Sequence, residues 1–503
     1  MKRTPIVLLL GVASACGAGG GEPDANYRLP TDAAMVADAA PGADSEAAPD
    51  AAPAPDAGPV NTTFRAPLAT GPDPFMVYAD GFYYLATTGD RSIHMRKSAT
   101  LGGLLAAPAV QVWAADEPSR GQQMWAPSFA RFGDHWYLYF TADDGVDDHH
   151  RIHVVESEGQ DPLGPYHYKN RLVAQGSEEI WAIDQEVLRQ DHGLYLMWSG
   201  AGPEGHNLIY IAPMSNPYTV SGARQYLPAA GGCPEVREGP SVLQHDGTSF
   251  VIYSTCDTGK PDYQLWMMSI PQGADPMVPS NWTQHAGAVL SRNDAAGVWG
   301  PGHNGFFKSP DGTQDWLVYH AKNTTELTYN RRTTRALPIH WKADGTPDFG
   351  APPALGATMD LPSGDPGGGP TWINDTDTTS GSGHVAYSGD WTAYPHCGVQ
   401  CFWGDDHGST ATDATATFRF TGTQLALLSV SDAGNGIAAV SVDGGSETLV
   451  DQYASIRQGE QLQYLSPRLP AGPHTVRVRV TGSKNPSSSG FAVSIDRAEV
   501  YTE

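Results

Sequence analysis

The sequence predicts an all-β protein, a five-bladed β-propeller followed by a jelly-roll β-sandwich domain. Three observations support this prediction. Short runs rich in Val, Tyr, Phe, Trp and Thr alternate with Asp–Gly pairs, which is typical of antiparallel hairpins. Five such units recur between residues 62 and 356. From residue 371 onwards the strands alternate between apolar and polar positions, which favours a half-buried sheet.

Residues 1–16 are predicted to be a lipoprotein-type signal peptide. Lys2 and Arg3 precede an apolar run, residues 6–12, that is too short to span a bilayer. Small residues then lead to Cys16 in a pattern that resembles a bacterial lipobox, so that Cys16 would carry the lipid. The alternative is an ordinary cleaved signal peptide with a chance cysteine. The first interpretation predicts an anchor at the bacterial envelope (outer membrane or surface), and the second predicts secretion.

Residues 17–61 consist mainly of Ala, Pro, Asp and Gly. A segment of this composition cannot bury enough apolar surface to offset the entropy lost on ordering. We therefore predict a disordered linker that holds the following domains away from the membrane.

The net charge of the chain is -25, and no Lys/Arg cluster occurs along it. This balance argues against nucleic acid or an anionic membrane surface as a partner, and it favours a neutral ligand. Contact with a membrane is expected only through the lipid. The sequence makes no prediction about oligomeric state.

Apart from Cys16, four cysteines remain, an even number in an exported protein. Pairing of sequence neighbours, Cys233 with Cys256 and Cys397 with Cys401, is the simplest of the three possible connectivities. Four buried free thiols are the alternative.

Five repeats begin at residues 73, 126, 184, 238 and 301. Each has a polar or Pro-containing start, a short strand, a Gly turn and an aromatic-aliphatic strand, as in "GPDPFMVYADGFYYLATT" from Gly71. A repeat of this length holds about four strands, the size of a propeller blade. We therefore predict a propeller over residues 62–356. A β-sandwich with incidental Asp–Gly turns is the alternative.

The innermost strand of every propeller blade lies along the central channel, so residues at the starts of these strands face one pocket. This arrangement would bring Asp73, Asp184 and Glu238 together. Carboxylates of this kind, combined with aromatic side chains, are typical of sugar-cleaving sites. The other candidates expected near this pocket are Phe75, Trp125, Trp181 and His303.

Each candidate also has a purely structural explanation. Asp73 stands before a proline and could only start a turn. Asp184 could cap a hairpin, Glu238 could be a solvated loop acid, and His303 and Trp125 could belong to the core. Their shared position in successive repeats is what favours a joint role.

At these residues the chain resembles glycoside hydrolase family 43. The blade openings "DPF", "WAP", "ID", "EGP" and "GPGHNGFF" are similar to that family's signatures. The segments "MRKSATLGGL", "RIHVVES" and "RALPIHWKADGTPDFG" resemble more narrowly the exo-acting α-L-arabinofuranosidases that cut α-1,5-linked arabinan.

The resemblance implies roles for individual residues. Asp73 matches the general base, Glu238 the general acid, and Asp184 the third carboxylate, which raises the pKa of the acid by repulsion. It implies inversion at the anomeric carbon and no cofactor for the chemistry. His303 matches a histidine that lies near a bound ion or waters, so a structural calcium is possible there. Arg335 matches an arginine that approaches the substrate.

The sequence departs from the family pattern at two positions. Ser128 stands where relatives often have Glu, and Gln185 stands where they often have Pro. The first departure is expected to alter the binding pocket, and neither affects the proposed acid or base.

A Gly/Pro linker is predicted over residues 357–370, and a β-sandwich over residues 371–503. In "HTVRVRV" the valines face one side and the arginines the other. The domain resembles the galactose-binding-like modules of secreted glycosidases, which implies a carbohydrate-binding module. Trp391, Tyr394 and Trp403 could form a platform for sugar, or they could belong to the core of a spacer domain.

The leading functional hypothesis is an exported glycosidase that releases terminal α-L-arabinofuranose from arabinan or arabinoxylan. A β-xylosidase or an endo-arabinanase of the same fold is the second hypothesis. The third is a propeller that binds glycans without cutting them. The complete set of three carboxylates favours an enzyme, because a binding protein has no need of an aligned acid and base.

Overall fold

The structure is a computed structural model that describes residues 61–178, 180–399 and 401–502. The predicted signal peptide, the lipidation site at Cys16 and all but the last residue of the predicted linker 17–61 lie outside these residues. The described chain contains β-strands and short 3-10 helices, which confirms the all-β prediction. The helices span Leu101–Gly103, Pro118–Arg120, Asp147–His149, Pro203–Gly205, Pro279–Asn281, Asp294–Ala296 and Phe402–Gly404.

Strand β1 (Thr63–Arg65) is followed by five consecutive antiparallel sheets, here called sheets 1 to 5. Sheet 1 contains β2 (Phe75–Ala79), β3 (Phe82–Ala86), β4 (Ser92–Ser98) and β5 (Ala109–Ala114). Sheet 2 contains β6 (Gln122–Phe132), β7 (His135–Asp143), β8 (Arg151–Ser157) and β9 (Tyr166–Leu172). Sheet 3 contains β10 (Ala182–Gln190), β11 (Gly193–Ala201), β12 (Asn207–Asn216), β13 (Thr219–Val220) and β14 (Gln225–Tyr226).

Sheet 4 contains β15 (Arg237–His245), β16 (Thr248–Thr255), β17 (Gln264–Pro271) and β18 (Thr283–Gln284). Sheet 5 contains β19 (Trp299–Lys308), β20 (Asp315–Lys322) and β21 (Thr333–Pro338). The short strands β22 (His340–Trp341), β23 (Pro347–Asp348) and β24 (Thr358–Asp360) follow.

Asp–Gly pairs make the tight turns of the first hairpins in sheets 1 and 4. Asp80 and Gly81 both have positive φ, 49° and 84°, and they join Ala79 to its direct partner Phe82. Asp246 and Gly247 do the same in sheet 4. Two-residue turns with positive φ match the right-handed twist of the strands, and Asp–Gly is a preferred sequence for them.

The first strands of neighbouring sheets contact one another in sequence, and β19 of sheet 5 contacts β2 of sheet 1. Leu68 and Ala69, which precede sheet 1, hydrogen-bond to Thr334 in β21. Sheet 5 is thus joined to sheet 1 both through its first strand and through this segment.

Five separate apolar cores lie between adjacent sheets, one for each neighbouring pair. The core between sheets 5 and 1 packs Met76 and Tyr83 of sheet 1 against Phe307, Trp316 and Val318 of sheet 5. Each of these five side chains is at most 5% exposed. Complete burial of such a side chain contributes roughly 1.5–3 kcal/mol, so these cores fix the order of the sheets around the centre.

Residues 371–502 form the second large part of the chain, twelve antiparallel strands in three sheets. One sheet contains β25 (Thr371–Asn374), β36 (Arg497–Tyr501), β30 (Gln424–Ser431) and β33 (Gln458–Leu465). A second contains β26 (His384–Ser388), β29 (Thr415–Gly422), β34 (Gly472–Ser483), β31 (Ile437–Val442) and β32 (Thr448–Asp451). The third contains β27 (Thr392–Tyr394), β28 (Asp406–Ser409) and β35 (Val493–Ile495).

The alternation predicted in "HTVRVRV" is present in β34. Val476, Val478 and Val480 are fully buried in a core shared by the first two of these sheets. Arg477 and Arg479 lie on the opposite face and both contact the carboxylate of Glu447. The two sheets therefore pack as a β-sandwich around one core.

The segment predicted as the Gly/Pro linker 357–370 contacts β1 and the region of sheet 1. β24 pairs with β1 along Thr63–Arg65. Asp365 accepts hydrogen bonds from the hydroxyl of Tyr83 and the backbone N–H of Leu101, both in the region of sheet 1. The Gly/Pro composition did not reveal these contacts, because a short strand of three residues carries little pattern of its own.

The structure joins Cys233 to Cys256 and Cys397 to Cys401, the pairing of sequence neighbours. The first bridge ties the segment before β15 to the end of β16. Within the described chain, no helix is long and apolar enough to cross a membrane.

Candidate active site

The backbone turns sharply at one equivalent position in each of the five sheets. Asp73, Ala126, Asp184, Gly239 and His303 have φ values of 54°, 44°, 57°, 55° and 43°. Positive φ is found in only a few per cent of non-glycine residues, so its recurrence marks a shared structural feature. In sheets 2 to 5 these residues lie within a register shift of the first hairpin, a β-bulge. We call these five positions the kinks.

The kinks do not coincide fully with the repeat starts predicted from sequence. The fourth kink is Gly239 rather than Glu238, and the fifth is His303 rather than residue 301. Glycine suits the fourth kink, because its φ of 55° lies in the left-handed region and a Cβ there would stand 3.3 Å from the ring of His303. Asp73 and Asp184 are therefore kink residues themselves, whereas Glu238 directly precedes the kink of its strand.

A bulge removes backbone N–H groups from the strand ladder, and side chains accept their hydrogen bonds instead. The N–H of Ala126 donates to Thr88 Oγ1 at 2.9 Å, and that of Gly239 donates to Asp184 Oδ2 at 3.1 Å. The N–H groups of Asp73 and His303 donate to His320 Nδ1 at 3.1 Å and Ser254 Oγ at 2.8 Å. These bonds hold the kinks in place.

The five kinks surround a central cavity. Each sheet contributes its kink residue and the residue or residues directly after it to the cavity lining. Asp73, Asp184 and His303 are three of these kink residues, and Phe75 and Ser128 line the same cavity. The geometry thus gathers residues that lie up to 230 positions apart in the sequence (303 minus 73).

Asp73 is held as a carboxylate by a cation and a hydroxyl. Arg332 Nη1 donates to its Oδ1 at 3.0 Å, and Thr88 Oγ1 donates to its Oδ2 at 2.7 Å. His303 Nδ1 lies 3.3 Å from Oδ1. Burial disfavours the ionised form, but Arg332 and the neighbouring histidines outweigh burial and hold the pKa of Asp73 well below its usual range. Asp73 is therefore ionised near neutral pH.

Glu238 is protonated more readily than an ordinary glutamate. Burial raises its pKa to about 7, while a hydrogen bond from the hydroxyl of Tyr263 to Oε1 at 2.8 Å opposes the rise, and repulsion from Asp73 adds to it. The ring of Tyr263 stacks on His320, with 5.6 Å between ring centres and 4° between planes. Since His320 contacts Asp73, this stack links the surroundings of the two carboxyl groups.

Asp184 is buried between Glu238 and Asp73. Its pKa is raised well above the usual range, first by burial and then by repulsion from Glu238 and Asp73. Sequence reasoning attributed the raised pKa of Glu238 mainly to Asp184, whereas burial is the larger cause in the structure. Asp184 and Glu238 repel one another when both are ionised, so this pair retains a proton near neutral pH.

The two histidines of the site are neutral near neutral pH. Burial lowers the pKa of His303, and it lowers the pKa of His320 to about 3. His320 Nδ1 accepts from the backbone N–H of Asp73, and its Nε2 lies 3.2 Å from Thr258 Oγ1. Arg332 therefore supplies the positive charge beside Asp73.

The predicted aromatic residues occupy different positions. Phe75 lines the cavity and packs edge-on against Phe129, with 5.1 Å between ring centres. Trp125 directly precedes the kink at Ala126 and stacks on His150 at 4.1 Å. The structure does not bring Trp181 to the carboxylates, because its side chain lines a separate small cavity between sheets 2 and 3.

The structure also does not bring Arg335 to the carboxylates. Arg335 pairs with Tyr319 inside sheet 5 and is 1% exposed, so its guanidinium is enclosed by the sheet. Arg332 lies directly before the first residue of β21, and its Nη1 contacts Asp73. The arginine of the site is therefore Arg332.

The calcium expected near His303 receives no support from the side chains. His303 Nδ1 lies 3.3 Å from Asp73 Oδ1 and 4.0 Å from Asp184 Oδ2, but these three atoms do not all lie within 4.8 Å of one another. Among the described residues, only Cys233, Cys256 and Asp262 form such a group, and there the two cysteines are bonded to each other. Arg332 on Asp73 would in addition repel a cation.

The two departures from the family pattern contact each other. Ser128 Oγ donates to the backbone oxygen of Gln185 at 2.9 Å, and Gln185 Nε2 donates to the backbone oxygen of Ala126 at 2.8 Å. They connect sheets 2 and 3 beneath the kinks. Both residues line the central cavity, and the effect of Ser128 on the binding pocket stays a prediction.

Comparison with known proteins agrees with this geometry. The model of the family described as glycosyl hydrolases family 43 matches residues 64–347. An extracellular exo-α-(1→5)-L-arabinofuranosidase of Streptomyces avermitilis is 34% identical over 318 residues, which cover 59% of this chain and 65% of that protein. Alpha-L-arabinofuranosidase 43 of Humicola insolens is 32% identical over 306 residues, which cover 57% of this chain and 63% of that protein. The chain thus spans slightly less than two thirds of either relative.

Solved structures are similar to this chain as well. The crystal structure of an α-L-arabinofuranosidase from Lactobacillus brevis superposes with a TM-score of 0.55 at 29% identity, covering 58% of this chain and 98% of that one. A structure titled glycoside hydrolase, 15% identical, covers 87% of this chain with a TM-score of 0.52, which indicates a shared fold alone. Because the family model covers more than half of the sequence, including all three carboxylates, this chain belongs to glycosyl hydrolases family 43.

Proposed function

We propose that this protein is an exported α-L-arabinofuranosidase that releases terminal arabinofuranose from arabinan or arabinoxylan by a single displacement. One observation carries the proposal: a carboxylate kept ionised by Arg332 lies close enough to act on a partly buried carboxyl group whose pKa is raised to about 7. One site thus holds an ionised carboxylate that can act as the base and a carboxyl group that can be protonated near neutral pH and act as the acid. The printed names of the relatives supply the sugar.

In the proposed reaction Glu238 donates its proton to the glycosidic oxygen as the bond from that oxygen to the anomeric carbon breaks. A water molecule attacks the anomeric carbon from the opposite face, and Asp73 accepts the proton that the water loses. The product sugar has inverted configuration. Inverting enzymes hold the two carboxyl groups roughly 6.5–9.5 Å apart to admit the water.

Asp184 is proposed as a modulator of the acid. Its carboxyl oxygen Oδ2 accepts from the N–H of Gly239, the residue after Glu238, and this bond fixes the strand from which Glu238 projects. Repulsion between the two groups disfavours the doubly ionised pair, so the pair keeps the proton that the reaction consumes.

We propose that sheets 1 to 5 are the blades of a five-bladed propeller over residues 62–356, followed by the connection 357–370 and a jelly-roll sandwich over 371–503. The five kinks, the five inter-sheet cores and the contact of β19 with β2 support this arrangement. No cofactor is required for the proposed chemistry, and calcium near His303 stays a prediction.

Export rests on the N-terminal sequence and on the word extracellular in the names of relatives. A lipid on Cys16 would hold the enzyme at the cell envelope, where the polysaccharide substrates are encountered outside the cytoplasm.

The direct test compares three substrates: an aryl α-L-arabinofuranoside, an aryl β-xyloside and debranched arabinan. We expect turnover of the first and release of single arabinose units from the third, with the inverted anomer seen first by NMR. Preference for the xyloside, or release of long oligosaccharides, would favour the β-xylosidase or endo-arabinanase alternatives. Absence of turnover on all three would favour the glycan-binding alternative.

We further propose that the C-terminal sandwich binds polysaccharide through Trp403. This side chain is 73% exposed, has a φ of 59°, and stacks on Phe402 with 5.2 Å between ring centres. An exposed tryptophan in a strained conformation suggests a functional constraint. Trp391 is half-buried against Tyr387, so it belongs with the core rather than with a platform.

Replacement of Trp403 by Ala is expected to weaken binding to immobilised arabinan about tenfold, because a well-stacked aromatic contact contributes up to about 1.5 kcal/mol. Hydrolysis of the aryl arabinofuranoside should remain unchanged. Leu449→Ala is a matched control, since Leu449 is 68% exposed in the same domain. Equal binding by all three proteins would contradict the platform.

A further inference from the structure

A cavity of about 260 Å³ separates the first sheet from the C-terminal sandwich. Phe82, Lys97 and Ser98 line it from the side of sheet 1, and Arg468, Tyr501 and Thr502 line it from the sandwich. We call it the junction pocket. It shares no lining residue with the central cavity that holds the carboxylates.

The junction pocket is positively charged in a strongly acidic chain. Its described lining contains Lys97 and Arg468 but no Asp or Glu, although the sequence carries 55 acidic residues against 30 Lys and Arg. Carboxylates elsewhere in the chain are paired with its arginines, as at Asp73 and Glu447. The described lining of the junction pocket thus brings two positive charges together without a carboxylate to balance them.

Neither cation forms an ion pair with a residue of the part of the chain that the structure describes. Lys97 Nζ lies over the ring of Phe82 at 4.3 Å and over that of Tyr84 at 5.3 Å, contacts that position the charge without cancelling it. Arg468 is exposed and makes no hydrogen bond or ion pair with any residue in the described ranges. Both groups remain available to an anion.

The walls around these cations are fixed from both sides. Arg96 Nη1 donates to the backbone oxygens of Leu105 and Ala107, which holds the wall that follows β4. On the sandwich side, the hydroxyl of Tyr501 donates to Glu499 at 2.8 Å, and Tyr501 is 4% exposed. The pocket is therefore a built cleft between two rigid elements.

We propose that the junction pocket binds a carboxylate-bearing sugar, a uronic acid residue of an acidic polysaccharide. Its volume is slightly below the roughly 300–1,000 Å³ of pockets for drug-sized ligands, which fits one or two sugar units. Phe82, which is partly exposed, supplies aromatic surface for a pyranose ring, and the two cations supply a partner for its carboxylate.

The choice of a sugar as the carrier of the carboxylate rests on the proposed function; the preference for an anion does not. A neutral arabinan chain gains nothing from two unpaired cations. A polysaccharide that carries both uronic acid residues and arabinose would be held by its charged region at the junction pocket while the central cavity removes its neutral arabinose side groups. The junction pocket would then act as a second anchor.

The test is calorimetric titration of the full chain with trigalacturonic acid. We expect binding that weakens as NaCl is raised from 20 to 200 mM, because partly exposed charge pairs are screened. Arg468→Glu should reduce the affinity at least tenfold, and Lys97→Met should reduce it similarly. Arg468 is exposed, so its replacement leaves the fold intact. Lys342→Glu, an exposed cation outside the pocket, is the matched control.

The following titration outcomes count against the proposal. Absence of binding to wild type, or equal affinity in wild type and Arg468→Glu, would remove the site. Inorganic phosphate or neutral arabinotriose binding as tightly as trigalacturonate, with the same sensitivity to Arg468→Glu, would remove the preference for a uronic acid. Hydrolysis of the aryl arabinofuranoside should be the same in all variants. A wild type that is inactive on that substrate would contradict the proposed function, whereas the titration alone decides whether the junction pocket binds an anion.

Discussion

Replacement of Glu238 by Gln is expected to lower kcat on arabinan by about 10²–10⁴-fold, the usual contribution of a positioned acid or base. Gln keeps the size and the hydrogen-bonding capacity of the side chain but has no proton to give to the leaving oxygen. Binding of arabino-oligosaccharides to the variant, measured by calorimetry, should stay close to that of the wild type. Glu235→Gln is the matched control, since Glu235 is exposed three residues away.

The same carboxyl group sets the alkaline limit of the reaction. Glu238 must be protonated, so kcat/KM on arabinan should fall as the pH rises through about 7. Asp73 must be ionised, and because its pKa lies well below the usual range, the acid limit should appear only at low pH. Tyr263→Phe removes a hydrogen bond that stabilises the ionised form of Glu238, so it should move the alkaline limit upwards. An alkaline limit that persists unchanged in Glu238→Gln would assign the acid to another residue.

Replacement of Asp73 by Asn should be comparably severe, with kcat reduced by about 10²–10⁴-fold on both arabinan and the aryl arabinofuranoside. The variant loses the group that removes a proton from water, a step that is needed whatever the leaving group. Asn tolerates positive φ better than most residues, so the kink at this position should persist. Single-turnover kinetics with the aryl substrate measure the effect without interference from product release.

Two results separate this prediction from a general loss of structure. Asp80→Asn alters a turn residue of the neighbouring hairpin and should leave kcat unchanged, because Asn–Gly makes the same turn as Asp–Gly. The thermal midpoint of Asp73→Asn should differ by only a few degrees from that of the wild type. Turnover within tenfold of the wild type would show that Asp73 is not the base.

The sequence predicted those features of the structure that depend on a few consecutive residues. Asp–Gly turns, alternating valines and repeated strand starts each depend on a few consecutive residues, so the all-β prediction and the three carboxylates could be read directly. The exact kink positions could not, because the difference between Glu238 and Gly239 depends on backbone dihedral angles. The presence of a carboxylate at or next to three of the five kinks was visible without any knowledge of those angles.

The partners of the carboxylates were missed because they come from distant parts of the chain. His320 and Arg332 contact Asp73 across 247 and 259 residues, and Thr88 belongs to the far side of the first hairpin. The resemblance indicated Arg335, whereas Arg332, three residues earlier, is the arginine that contacts Asp73; Arg332 directly precedes β21 and Arg335 lies within it. Thr258 and Tyr263 lie in the connection between two strands, where no periodicity marks a functional side chain.

The five kinks mean that the site's frame is a property of the main chain, whereas its chemistry is a property of interchangeable side chains. Two of the five kinks, Asp73 and Asp184, carry acidic side chains and one carries a histidine, whereas Ala126 and Gly239 carry a methyl group and no side chain. A fold of this kind can acquire a different reaction by substitution of the side chain at one kink, while the sheets that position the kinks stay unchanged.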